Sequence, residues 1–99
     1  MNPTEIKRFY EQSEVVLHYA VAVDRVGLWR SEHMLFTRMF SADHELLEVG
    51  CGAGRIAIGL HRIGYCNLTA MDCSGEMVDV ARTLAEERGV QGPFEVGDA

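Results

Sequence analysis

Two patterns of apolar spacing divide this chain, with the change falling at residues 44 and 45. In the first part the pattern is helical. Asn2 followed by Pro3 suits an N-cap with proline at the first helical position, and Ile6, Phe9, Tyr10, Ser13, Val16 and Leu17 then recur every three or four residues. The stretch from Val15 to Val26 is apolar and β-branched enough to suit a strand as well, but Tyr19, Ala20 and Val23 continue the helical stripe, so helix is expected. Gly27 breaks the pattern. Ser31 is placed to cap a further helix through Met34, Leu35, Arg38 and Met39, ending at the polar turn Ser41-Ala42-Asp43.

From Glu45 onward, short unbroken apolar runs alternate with helical stripes. Leu46, Leu47 and Val49 predict a strand that runs into the cluster Gly50-Cys51-Gly52-Ala53-Gly54. Ile56, Leu60 and Ile63 predict a helix ended by Gly64, and Leu68 to Met71, closed by Asp72, a second strand. Ser74 is a suitable cap for a helix that buries Met77, Val80, Ala81 and Leu84, keeps Glu86, Glu87 and Arg88 in solvent and stops at Gly89. Phe94 to Val96 predicts a third strand. Strands and helices alternating in this way make an α/β fold, βαβαβ with parallel strands, and right-handed crossovers give the order 3-2-1. The first strand then lies at the topological switch point, where ligands bind beyond the carboxyl ends of the strands, with its outer flank unpaired. The expected division is a helical cap over 1–44 and the first part of a ligand-binding domain over 45–99.

The segment Glu45-Leu-Leu-Glu-Val-Gly-Cys-Gly-Ala-Gly-Arg55 carries the clearest chemistry. Glycines allow a tight turn and let a ligand approach the backbone closely, and the following helix aims free N–H groups at the same place. A dinucleotide fingerprint would put glycine or alanine at the sixth position from Gly50, where Arg55 stands, so a dinucleotide oxidoreductase is disfavoured. Asp72 follows Gly54 by 18 residues, close to the roughly 20-residue spacing at which an acid accepts hydrogen bonds from ribose hydroxyls. Leu47-Glu-Val-Gly-Cys-Gly-Ala-Gly54 resembles the first motif of class I S-adenosylmethionine-dependent methyltransferases. The resemblance implies that Gly50, Cys51, Gly52 and Gly54 hold the amino-acid end of S-adenosylmethionine and that Glu48 engages its amino group. It further implies that Asp72 takes the ribose, Cys73 and Met77 cover the adenine, and Asp98 and Ala99 contact the base from beyond the third strand. It implies a three-layer Rossmann-like fold, present here in part, and a small-molecule acceptor. Tyr10, Tyr19, Trp29 and Arg30 are the cap residues that could close over the cofactor.

Each assignment has a plainer reading. The glycines alone could simply make a βα turn, Asp72 alone could be a solvated strand-end acid, and Met77, Cys51 and Cys73 could be ordinary packing residues. Leu47 to Gly54, Cys73-Ser74-Gly75-Glu76-Met77 and Gly97-Asp98-Ala99 resemble family motifs in the expected order, and together they favour the cofactor. The 99 residues, 47% hydrophobic and 24% charged, suit one soluble domain, and the net charge of −6 argues against nucleic acid. An odd count of three cysteines without metal-site spacing, and no apolar run long enough to span a bilayer, point to a reducing cytoplasm with no metal and no membrane. No complete set of catalytic residues is visible, and the isolated chain is expected to hold cofactor contacts with little or no turnover. The competing expectation is a non-catalytic binding or assembly module, with a homodimer formed through the unpaired edge of the first strand.

Overall fold

The computed structural model describes residues 2–5, 13–25 and 27–98. Seven elements follow in order: α1 (Ser13–Arg25), α2 (Arg30–Met39), β1 (Leu46–Val49), α3 (Arg55–Arg62), β2 (Leu68–Asp72), α4 (Gly75–Glu87) and β3 (Phe94–Val96). Asn2 does cap a helical start, its side-chain oxygen accepting the Glu5 N–H at 2.8 Å. The three strands form one parallel sheet in which β2 lies between β1 and β3, the expected order. The register sets Glu48 beside Ala70 and Ala70 beside Phe94, and Val49 beside Met71.

Because strand side chains alternate between faces, this register sorts the sheet into a packed and an open side. Leu68, Ala70 and Phe94 are buried with Ala57, Ile58 and Leu60 of α3 and Met77, Val78, Ala81 and Ala85 of α4. The α1 helix lies across α3 and α4 and contributes Val16 to the same core. Leu47 and Val49, on the other face, are 62% and 54% exposed. The described residues thus supply two of the three layers that the resemblance implies.

Boundaries agree with the sequence pattern where a glycine or a cap decides them. Ser74 Oγ accepts the Met77 N–H at 3.2 Å, and Gly64 and Gly89 follow α3 and α4 with φ of +112° and +71°. Three expectations shift. The N-cap of α2 is Trp29, not Ser31, because Glu32 reaches back to accept the Trp29 N–H at 2.9 Å. The buried stripe of α4 includes Val78 and Ala85, while Val80 and Leu84 are only partly covered. In α3 the core side is Ala57, Ile58 and Leu60, and Ile63 is exposed.

Candidate functional site

The carboxyl ends of the strands converge on the glycine loop. As β1 ends, Gly50 and Cys51 both donate backbone N–H groups to the Met71 carbonyl, at 2.8 and 2.9 Å. The chain then turns through Gly50, Gly52 and Gly54 at φ of +79°, +55° and +91°, a region that L side chains rarely adopt. Gly54 caps α3, and its carbonyl accepts the Ile58 N–H at 2.8 Å. The glycines differ in what surrounds them. A Cβ at Gly50 would meet nothing within 4 Å, whereas one at Gly54 would sit 3.2 to 3.3 Å from Ile58, Ala81 and Phe94. Gly50 therefore keeps the loop open, and Gly54 lets helix, sheet and neighbouring helix close together.

Asp72, the last residue of β2, spans the site. Its Oδ2 accepts the Gly52 N–H and its Oδ1 the Ser74 N–H, both at 2.9 Å. One carboxylate therefore ties the glycine loop to the head of α4. Glu48 is on the packed side of β1, and its Oε1 is buried without a hydrogen-bond partner among the described residues. Burial is the main reason its carboxyl is pushed up to about 7; Arg55 and a hydrogen bond from the Ala57 backbone oppose the shift, and the charges of Glu32 and Asp72 add to it. Burial, then the Glu48 and Asp72 charges, also push the Cys51 thiol up to about 12, so this sulfur is no thiolate nucleophile at neutral pH.

A buried acceptor with no donor costs about 1–3 kcal/mol, and a cationic ligand group would supply the donor that Oε1 of Glu48 lacks. The open Gly50 flank, the N-terminus of α3 and the strand-end Asp72 complete a cradle for a ligand carrying an ammonium group, a carboxylate and vicinal hydroxyls. S-adenosylmethionine has that set of groups, and the residues present fit it.

A family model described as a methyltransferase domain matches residues 46–99. The chain belongs to this methyltransferase family. One curated relative of the domain is a ubiquinone biosynthesis O-methyltransferase from Xanthomonas euvesicatoria pv. vesicatoria (strain 85-10), 40% identical over 60 residues, a match covering 61% of this chain and 25% of the relative. Another, a ribosomal protein L11 methyltransferase from Shewanella sediminis (strain HAW-EB3), is 32% identical over 50 residues, covering 50% of this chain and 17% of its own length. Among solved structures, one titled for the conversion of a disulfide bond into a thioacetal group during echinomycin biosynthesis superposes with a TM-score of 0.64 at 32% identity, covering 73% of this chain and 29% of that one. The matched stretch is thus a quarter or less of the length of these two curated relatives, and the class I recognition and the Rossmann-like fold both hold for it.

Within the methyltransferase domain, Glu48, Gly50, Cys51, Gly52, Asp72 and the partly buried Cys73 are gathered at the ends of β1 and β2. Asp98 is exposed just past β3, brought alongside by the Gly97 N–H, which donates to the Asp72 carbonyl at 3.0 Å. Met77 is 1% exposed, packed in the core beneath α4. Ala99 and Tyr10 lie outside the described residues, as does the Tyr19 side chain. Among the described residues no cluster of three metal-ligating side chains occurs, and no helix is long and apolar enough to cross a membrane.

Sequence reasoning missed the residue that joins the α2 segment to the glycine loop. Arg55, treated only as a mismatch to the dinucleotide pattern, donates from Nη1 and Nη2 to the two carboxylate oxygens of Glu32, at 2.6 and 2.9 Å, and from Nη1 to the Gly27 carbonyl at 2.8 Å. Its guanidinium lies 5.3 Å from the centre of the Trp29 ring. Trp29 is not a residue that marks an N-cap, and nothing in the sequence linked Glu32 to a residue 23 positions further on.

Proposed function

We propose that this chain forms the cofactor-binding part of an S-adenosylmethionine-dependent methyltransferase whose acceptor is a small molecule. The observation that carries the reading is the buried, donorless Oε1 of Glu48, beside an open glycine loop and a strand-end aspartate. Bound there, S-adenosylmethionine supplies a methyl group already activated on its sulfonium, so transfer depends mainly on orientation. The protein's part is to hold. Ionised Glu48 accepts from the ammonium group, the positive end of α3 favours the carboxylate, and Asp72 keeps lone pairs for the ribose hydroxyls while its bonds to Gly52 and Ser74 fix its rotamer. The net charge of −6 supports a small acceptor over a nucleic acid, while the ribosomal protein named for one relative keeps a protein acceptor as the alternative to test.

Calorimetric titration with S-adenosylhomocysteine tests the cofactor reading. Saturable binding is expected, weakened at least about tenfold in Asp72→Ala, the loss of two charge-assisted hydrogen bonds. A folded chain that takes up no ligand at millimolar concentration contradicts it. A second reading, an assembly module, is supported by β1, whose outer flank has no partner among the described residues and whose Leu47 and Val49 are exposed. It predicts a dimer in sedimentation that Val49→Lys dissociates; a monomer at high concentration counts against it.

A further inference from the structure

The α2 helix buries no residue, and Trp29, Met34, Leu35 and Met39 are all exposed on and before it. Leu28, Phe36 and Phe40 pack partly buried against the core, and polar bonds fix the two ends of the helix. At the carboxyl end, Tyr65 Oη donates to the Phe40 carbonyl at 2.8 Å, with the Phe36 carbonyl as a second acceptor at 3.1 Å. At the amino end, the Arg55 side chain reaches three parts of one short segment: the Gly27 carbonyl, the Trp29 ring and both Glu32 oxygens. Leu28 of that segment also seats on Gly59 of α3, where an added Cβ would come within 2.9 Å of the Leu28 Cβ. Arg55 is the first residue of α3 and directly follows Gly54. The same side chain that orients the cap therefore leaves the chain at the exit of the ligand loop, and Glu32 is near enough for its charge to act on Glu48.

We propose that Arg55 is a positioning residue for the cofactor: by holding Gly27 to Glu32 against the head of α3, its ion pair with Glu32 sets how tightly the Gly50–Gly54 loop holds the amino-acid end of the ligand. The inference rests on the methyltransferase reading of that loop. A guanidinium fork is needed because two parallel bonds to Glu32 and a third to a carbonyl fix direction as well as distance, which a lysine ammonium cannot do. Trp29 is the only tryptophan of the chain, so its emission reports on this segment alone.

The test is a titration of the chain with S-adenosylhomocysteine, read by calorimetry and by Trp29 fluorescence, in wild type, Arg55→Met, Arg55→Lys, Glu32→Gln and the Arg55→Met/Glu32→Gln pair. If position matters, all three single variants weaken binding by about fivefold or more, the low end of ordinary coupling between sites. The double variant is then no worse than the poorer single one, and the Trp29 response on binding is lost. A purely electrostatic influence through Glu48 gives opposite signs near neutral pH, Arg55→Met raising the Glu48 carboxyl further and weakening binding while Glu32→Gln lowers it and tightens binding; that result overturns the proposal, as do unchanged affinities in folded variants. Glu32→Gln is isosteric and keeps the test usable if loss of Arg55 unfolds the chain. Absence of binding by folded wild type removes the functional reading and this inference with it, whereas wild-type binding with indifferent variants removes this inference alone.

Discussion

The strand-ended half of the molecule and the α2 segment are held by different forces. In the first, Ala57, Ile58, Leu68, Ala70, Val78, Ala81 and Phe94 exclude water together, and the loop geometry follows from how closely helix and sheet approach. In the second, a helix with no fully buried residue rests on the partly buried Leu28, Phe36 and Phe40 and is pinned at one end by a guanidinium and at the other by a phenol. Apolar burial spreads over many atoms and tolerates small errors, while a polar pin depends on one or two bonds and fails when either is removed. The site lies at the junction, with its glycine loop built by packing and the α2 segment fixed at its ends by polar bonds.

The largest effect should come from breaking the packed side. Gly54→Ala places a Cβ 3.2 to 3.3 Å from three side chains at a φ of +91°. Overpacking at about 1–3 kcal/mol and left-handed strain at about 1–3 kcal/mol act together, so urea unfolding should show a loss of several kcal/mol. A loss below about 1 kcal/mol would mean that the helix and sheet have slack at this point.

Glu48→Gln sharpens the comparison from the other direction, since it removes a charge that the packed side tolerates poorly. The folded-state carboxyl is raised from an ordinary 4.5 to about 7, so the folded chain binds more protons than the unfolded one in that window. Stability is therefore full below about pH 4.5 and declines as pH rises towards 7, a loss on the order of 3 kcal/mol by proton linkage. Glu48→Gln should recover most of that at pH 8 and change little at pH 4 in paired denaturant curves. Equal effects at both pH values would show that burial does not perturb this carboxyl.

Tyr65→Phe should act least on the whole and most on the pinned helix. The ring is 4% exposed and stays in place, while the bond to the Phe40 carbonyl is lost, at about 0.5–1.5 kcal/mol. Hydrogen exchange should speed up over Phe36–Phe40 and leave β2 unchanged. Uniform acceleration would mean that α2 and the sheet open as one unit.

The difference between the regions also explains what could be read from the sequence. Residues 46–96 were legible almost to the boundary, because short apolar runs, a capping Ser74 and glycines at Gly64 and Gly89 are local signals of local conformation. The gathering of Glu48, Gly50 and Asp72 followed from strand order alone. What was not legible depends on distance in space. The two roles of Gly50 and Gly54 are alike in sequence and separate only once Ala81 and Phe94 are seen against one of them. The donorless oxygen of Glu48 is a product of burial, and the Arg55 to Glu32 pair joins elements whose relative placement no periodicity encodes.

The central claim is that Glu48 is the buried anion that receives the cofactor's ammonium group, and the pH dependence of S-adenosylhomocysteine binding tests it most directly. The carboxyl must ionise to accept a cation and is raised to about 7 when free, so affinity should fall about tenfold between pH 8 and pH 6, with proton release on binding at the lower pH. In Glu48→Gln the affinity should be weak and flat over the same range. Wild-type affinity that does not change from pH 8 to pH 6, or a Glu48→Gln variant that binds as wild type does, would contradict the account.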